Sequence, residues 1–164
     1  MLLELLIEQR LFSLKAFGPR PRLAGVHDHL SKELQELKAD PQDLSEWADC
    51  LLLCFDGAMR AGATPEELSE YLDIGDMRSP YRGLWHELRR DLGHMKTCRQ
   101  LNEWRAWGIM AFKFLVSATR NGLTVDEVLQ AARDKLEINK KRDWPDWRTI
   151  PEDKAIEHKN PWLV

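Results

Sequence analysis

The sequence predicts an all-α protein whose four-helix-bundle core is built from two helical hairpins, with extra helices and an extended C-terminal tail. Three observations predict it. Helix signals dominate and strand signals are nearly absent. Two capping boxes, Thr64-Pro65-Glu66-Glu67 and Thr124-Val125-Asp126-Glu127, mark helix starts where a Thr side chain and a Glu three residues on satisfy each other's backbone donors. The segments leading into these boxes also repeat. Trp47 and the run from Arg60 to Leu68 align with Trp107 and the run from Arg120 to Val128 at an offset of 60, and Leu30–Leu37 aligns loosely with Leu88–Met95.

In order, the first helix is expected from about Leu2 to Lys15. Gly18, Pro19, Pro21 and Gly25 then force a loop that carries Arg20 and Arg22, with Lys15 at its entrance. A second helix spans about Val26 to Ala39. Asp40-Pro41 reads as the next boundary, with Asp as cap and Pro in the first turn, where a missing N–H costs nothing. The third helix holds Leu44, Trp47, Leu51, Leu52 and Phe55 and stops at Gly62. A short fourth helix follows Thr64, and Asp73–Ser79 reads as a connector. Helices resume over about Pro80–Lys96 and Leu101–Arg120, then from the second capping box to about Lys141. Residues 1–164 form a single helical domain, of which about 143–164 is extended tail.

The size suits one compact core, and an apolar content of 43% excludes disorder over most of the length. Charged residues make up 31%, yet the net charge is only -3, so nothing draws the whole molecule to nucleic acid or to a membrane surface. A polyanionic ligand must be held locally, by a few placed cations or by metal. Cys50 and Cys54 lie one turn apart in an apolar run and read as packing; with Cys98 they make no disulfide framework. The N-terminus, with Glu4 and Glu8, reads as an amphipathic helix instead of a leader, and no apolar run approaches the roughly 18–20 residues of a membrane helix. A cytoplasmic protein is expected.

The informative feature is the acids. Glu33 and Glu36 share one face of the second helix, and Glu46 and Asp49 share one face of the third. A tight turn between antiparallel neighbours brings the four together, with Asp56 two turns further along the stripe. Facing carboxylates repel unless a cation lies between them, and an oxygen-only set with open positions suits Mg²⁺ or Mn²⁺. On pattern alone the competing assignment is a pair of solvated faces matched with Lys32, Lys38 or Arg60.

Glu33-x-x-Glu36…Glu46-x-x-Asp49 resembles the ExxE…ExxD metal signature of the all-α nucleoside triphosphate pyrophosphohydrolases, the MazG and dimeric dUTPase-like superfamily. Phe12–Pro19, Asp28–Leu34, Asp56–Gly62, Lys135–Arg148 and Asp153–His158 resemble the phage and bacterial branch described as dATP/dGTP diphosphohydrolases. That branch includes the MazZ enzymes of phages that replace adenine with 2-aminoadenine. The acid-pair spacer is shorter than in typical MazG proteins, and about Leu72–Trp107 looks inserted, with Asp91-Leu92-Gly93-His94 where an ExxE would stand. The second hairpin is therefore expected to be a structural half.

The resemblance implies cleavage of a purine nucleoside triphosphate, dGTP or GTP ahead of dATP, to monophosphate and pyrophosphate; the dGMP would feed synthesis of the 2-aminoadenine nucleotide. Glu33, Glu36, Glu46 and Asp49 would hold Mg²⁺ or Mn²⁺, and Glu36 or Glu33 would take the proton of the attacking water. Lys135, Asn139 and Arg142, spaced as one stripe of the last helix, would meet the phosphates, with Lys15 and Arg22 as further candidates. Trp47, Trp144, Trp147 and Phe17 are candidate walls for the base. A homo-oligomer, dimer or tetramer, is expected through an apolar stripe of Leu2, Leu5, Leu6 and Phe12 on the first helix. Two other classes compete. A ferritin-like metal bundle would need Glu-x-x-His pairs, which only Asp91-x-x-His94 approaches, and a non-catalytic interaction module would treat the acids as surface charge. His27-Asp28 looks like the dipeptide of HD phosphohydrolases, without the remaining ligands.

Overall fold

The computed structural model describes residues 2–73 and 85–159. Seven α-helices lie in these residues: α1 (Leu2–Phe17), α2 (Leu23–Ala39), α3 (Leu44–Arg60), α4 (Pro65–Asp73), α5 (Trp85–Thr97), α6 (Trp104–Arg120) and α7 (Val125–Lys141). Short 3-10 turns cover Gln100–Asn102 and Trp147–Thr149, and no strand occurs among the described residues. The expected connector beyond Asp73 and the helix start at Pro80 lie outside them.

The four-helix core is a ring in which α2 packs on α3, α3 on α6, α6 on α5 and α5 back on α2. The repeat seen in the sequence is the physical basis of this ring. Helices α3 and α6 have equal length at the offset of 60, and Trp47 and Trp107 are both fully buried. Each indole N–H donates to the carbonyl six residues earlier, Trp47 to Pro41 at 3.0 Å and Trp107 to Leu101 at 2.8 Å. Both capping boxes close reciprocally, Thr64 with Glu67 and Thr124 with Glu127. Leu30, Leu34 and Leu37 of α2 are buried, as are Leu88, Leu92 and Met95 of α5. At the ring's centre Gly57 lets α6 approach: a Cβ there would lie 2.2 Å from Trp107 Cε3.

Helix α7 packs on α3, and α1 crosses α3, α4 and α7. This placement corrects the expected apolar stripe on α1. Leu5 and Leu6 face inward, 1% and 0% exposed, while the exposed apolar residues of α1 are Ile7, Leu11 and Leu14. The start of α3 is also later than expected. Asp40 closes α2, and Asp43 is the cap, accepting from Ser45 N at 2.8 Å. Cys50 and Cys54 are buried free thiols, and Cys98 is exposed.

The tail is extended as expected, but it is not loose. Residues 143–159 fold back over α1 and α2. Arg22, 6% exposed and in the left-handed region at φ 46°, donates to the carbonyls of Trp147, Ile150, Pro151 and Lys154. Gly25 N donates to Glu152 O at 3.1 Å, Asp28 accepts from Ala155 N at 3.1 Å, and Lys32 pairs with Glu157 at 2.6 Å.

Candidate active site

A cleft of about 490 Å³ opens between α1, α2, α3, α7 and the strapped tail. Its chemistry changes from one end to the other.

At one end are the acids. The turn between α2 and α3 brings Glu33, Glu46 and Asp49 together, with a carboxylate oxygen from each within 4.8 Å of the others. Among the described residues this is the group of three acids, His or Cys close enough to share an ion. Glu36 lines the same cleft at its exposed rim, outside the trio. Lys135 reaches in from α7, with Nζ 2.6 Å from Asp49 Oδ2 and 2.8 Å from Ser45 Oγ. His29, one turn before Glu33, has Nε2 3.0 Å from Glu33 Oε1.

One ammonium does not offset three carboxylates. Burial pushes the Asp49 carboxyl up to about 6 against the opposing pull of Lys135. Glu46 is raised as well, by burial first and then by Asp49, Glu33 and Glu36. Glu46 Oε2 is buried with no hydrogen-bond partner. An unmet carboxylate oxygen among other carboxylates is costly, and a divalent cation would meet it. The donor set is hard oxygen, which fits Mg²⁺ or Mn²⁺ and not a thiolate- or imidazole-seeking metal.

Toward α1 and the tail the cleft is aromatic. The Phe12 and Phe17 rings meet edge-on at 5.5 Å, and Trp144 stands edge-on to Phe17 at 4.9 Å. His158 meets the Trp144 ring at 5.9 Å. Trp144 is held by its indole N–H on Asn139 O at 2.9 Å. Between the two ends stand Asn139 and Arg142, joined by an Arg142 Nη1 to Asn139 Oδ1 hydrogen bond of 2.9 Å. Arg142 lies just past the end of α7 in extended backbone, so the expected helical stripe ends at its neighbour while its side chain still reaches the cleft.

Several expected residues are brought to this cleft: the four acids, Lys135, Asn139, Arg142, Phe17 and Trp144. Others are not free to act there. Arg22 touches the cleft wall, but its guanidinium is committed to tail carbonyls. Lys15 is exposed and lines a separate depression on the far side of Phe12 and Trp144. Trp47 is core, and Trp147 packs over Gly18. Asp56 continues the acidic stripe but is claimed by Arg60 at 2.7 Å and by the Ser13 hydroxyl. His27 is buried with Nε2 2.8 Å from Leu92 O, and Asp28 binds the tail, so the HD-like dipeptide is structural. His29, Gln9 and His158 also line the cleft without having been singled out as site residues. Only the one-turn spacing of His29 from Glu33 was a usable sequence signal.

The second hairpin carries a different charge arrangement. Asp91, at the position of Glu33, is paired with Lys113 of α6 at 2.5 Å, and Lys113 stands where Leu53 does in the first hairpin. No helix among the described residues is long and apolar enough to cross a membrane.

A search of curated proteins gives no significant match, nor does a search of solved structures. A model of the dATP/dGTP pyrophosphohydrolase family matches residues 8–90 and 100–161, a span that takes in the acidic hairpin, α7 and the strapped tail. The chain thus belongs to the dATP/dGTP pyrophosphohydrolase family, MazG-like enzymes that split a nucleoside triphosphate into its monophosphate and pyrophosphate.

Proposed function

We propose that this chain is a Mg²⁺- or Mn²⁺-dependent diphosphohydrolase of purine nucleoside triphosphates, deoxy or ribo. The observation that carries the metal is the buried, partnerless Oε2 of Glu46, held among Glu33, Asp49 and the rim acid Glu36. Glu33, Glu46 and Asp49 would hold the ion. When bound, a divalent cation supplies charge neutralisation to the triphosphate and acidifies water. Glu36, outside the trio and open to solvent, takes the proton of the attacking water. The water oxygen bonds to the α-phosphorus as the bond from that phosphorus to the bridging oxygen breaks, and pyrophosphate leaves with that oxygen.

Lys135, Asn139 and Arg142 receive the phosphates. Lys135 is held on Asp49 and Ser45, poised to exchange that pair for a phosphate oxygen. The rings of Phe12, Phe17 and Trp144 take the base. Preference for dGTP or GTP over dATP, and supply of dGMP for 2-aminoadenine nucleotide synthesis in a phage, rest on the MazZ-like motif spacing. Self-association to a dimer or tetramer belongs to the same proposal, supported by the exposed Ile7, Leu11 and Leu14 on α1; a monomeric mass in light scattering overturns that part.

The test is incubation with each NTP and dNTP plus Mg²⁺ or Mn²⁺, with products resolved by ion exchange. Monophosphate and pyrophosphate from purine substrates, lost on chelation, are expected. Orthophosphate or tripolyphosphate as the product overturns the reaction, and activity indifferent to chelation overturns the metal.

A further inference from the structure

Two buried side-chain acceptors lack a hydrogen-bond partner among the described residues, and both belong to residues lining the same cleft. One is Glu46 Oε2, among the acids. The other is Oε1 of Gln9, on α1, in a residue only 4% exposed. Buried amides are normally satisfied, and this oxygen is not. Phe12 follows Gln9 by one helical turn and Phe17 by about two, so the amide shares a helix with two rings of the aromatic wall.

We infer that Gln9 reads the base, its side-chain amide pairing with the hydrogen-bonding edge of a purine lodged among Phe12, Phe17 and Trp144. This rests on the proposed triphosphate hydrolysis and goes beyond it by naming what meets the edge of the base. The chemistry of the residue limits the occupant. The buried oxygen accepts from N–H, and it lies on the helix that carries two rings of the aromatic wall. It suits an amino group or a ring N–H beside an aromatic wall. An amide also carries a donor next to its acceptor, and rotation by half a turn exchanges them. In one setting it accepts from the 6-amino group of adenine and donates to the neighbouring ring nitrogen. In the other it donates to the 6-oxygen of guanine and accepts from its ring N–H. A single glutamine therefore serves both purines without a second pocket.

The test is a comparison of kcat/KM for dATP, dGTP and the deoxynucleoside triphosphate of unsubstituted purine, which keeps the ring nitrogens and lacks the 6-amino and 6-oxo groups. Wild-type protein is compared with Gln9→Met and Gln9→Leu, scoring each variant that keeps the wild-type helical circular dichroism. The wild type is expected to favour dATP and dGTP over the unsubstituted purine by about tenfold or more. In the variants that preference should shrink to within about threefold. A wild type that does not discriminate, or variants that discriminate as it does, overturns the role of Gln9 and leaves the hydrolase standing. Variants that both lose their fold overturn it too, since they make Gln9 a structural residue. A wild type inactive on every triphosphate instead removes the hydrolase proposal itself.

Discussion

Replacing Asp49 by asparagine should make the metal-free protein more stable at pH 8 while removing its response to divalent cations. The carboxyl of Asp49 sits at about 6 in the fold, against an ordinary 3.8. A carboxyl raised by folding favours its protonated form there. The associated stabilisation is complete below about pH 4, lost as pH rises through about 6, and absent at pH 8. A rise of roughly two units corresponds to about 3 kcal/mol. Asparagine recovers only part of this, because Lys135 loses its carboxylate partner and keeps Ser45, so a gain of about 1–2 kcal/mol is expected. For a chain of this length that is roughly 3–6 °C in Tm. The assay is thermal unfolding of wild type and Asp49→Asn in chelator between pH 5 and 8, repeated with Mn²⁺. The variant's advantage should grow toward pH 8 and vanish toward pH 5, and Mn²⁺ should raise Tm of the wild type alone. An Asp49→Asn protein that is less stable at pH 8, or one still stabilised by Mn²⁺, refutes the account of the acidic cluster.

Two further perturbations test the frame around the cleft. Gly57→Ala drives a methyl into the Trp107 ring at the α3–α6 crossing and should cost about 1–3 kcal/mol in urea unfolding; an unchanged midpoint would mean the helices separate freely. Arg22→Met leaves four tail carbonyls without their guanidinium and should cost about 2 kcal/mol, exposing residues 143–159 to limited proteolysis and raising KM as the aromatic wall loosens. Cleavage of the tail at the wild-type rate would show that Arg22 does not hold it.

The helical frame was legible because it depends on local signals. Capping boxes, the tryptophans at equivalent positions and the apolar spacing of α2 and α5 all act within a few residues, and the ring of four helices follows from their repetition. The acids were legible for the same reason: a fixed helical spacing and a short turn leave Glu33, Glu46 and Asp49 few places to go. What escaped was long-range. Nothing near Arg22 in sequence announces that its partners lie more than a hundred residues on, so a cation in a glycine- and proline-rich loop looked like a phosphate ligand. Nor does the pattern of α1 say which of its two apolar sides meets α3, and the side that does is that of Leu5 and Leu6. Lys15 and Trp47 also lie apart from the cleft, one being turned outward and the other absorbed into the core.

The two halves of the bundle differ in where their counter-charge comes from. Around Asp91 it is written into the polypeptide, as the ammonium of Lys113, whereas around Glu33 the proposed ion would supply most of it from the medium. Starving the molecule of divalent ions would therefore loosen one hairpin and spare its twin. On the proposed function, the tightness of α2 and α3 would follow the supply of magnesium or manganese, while α5 and α6 would remain an indifferent scaffold that keeps the chain assembled until the ion returns.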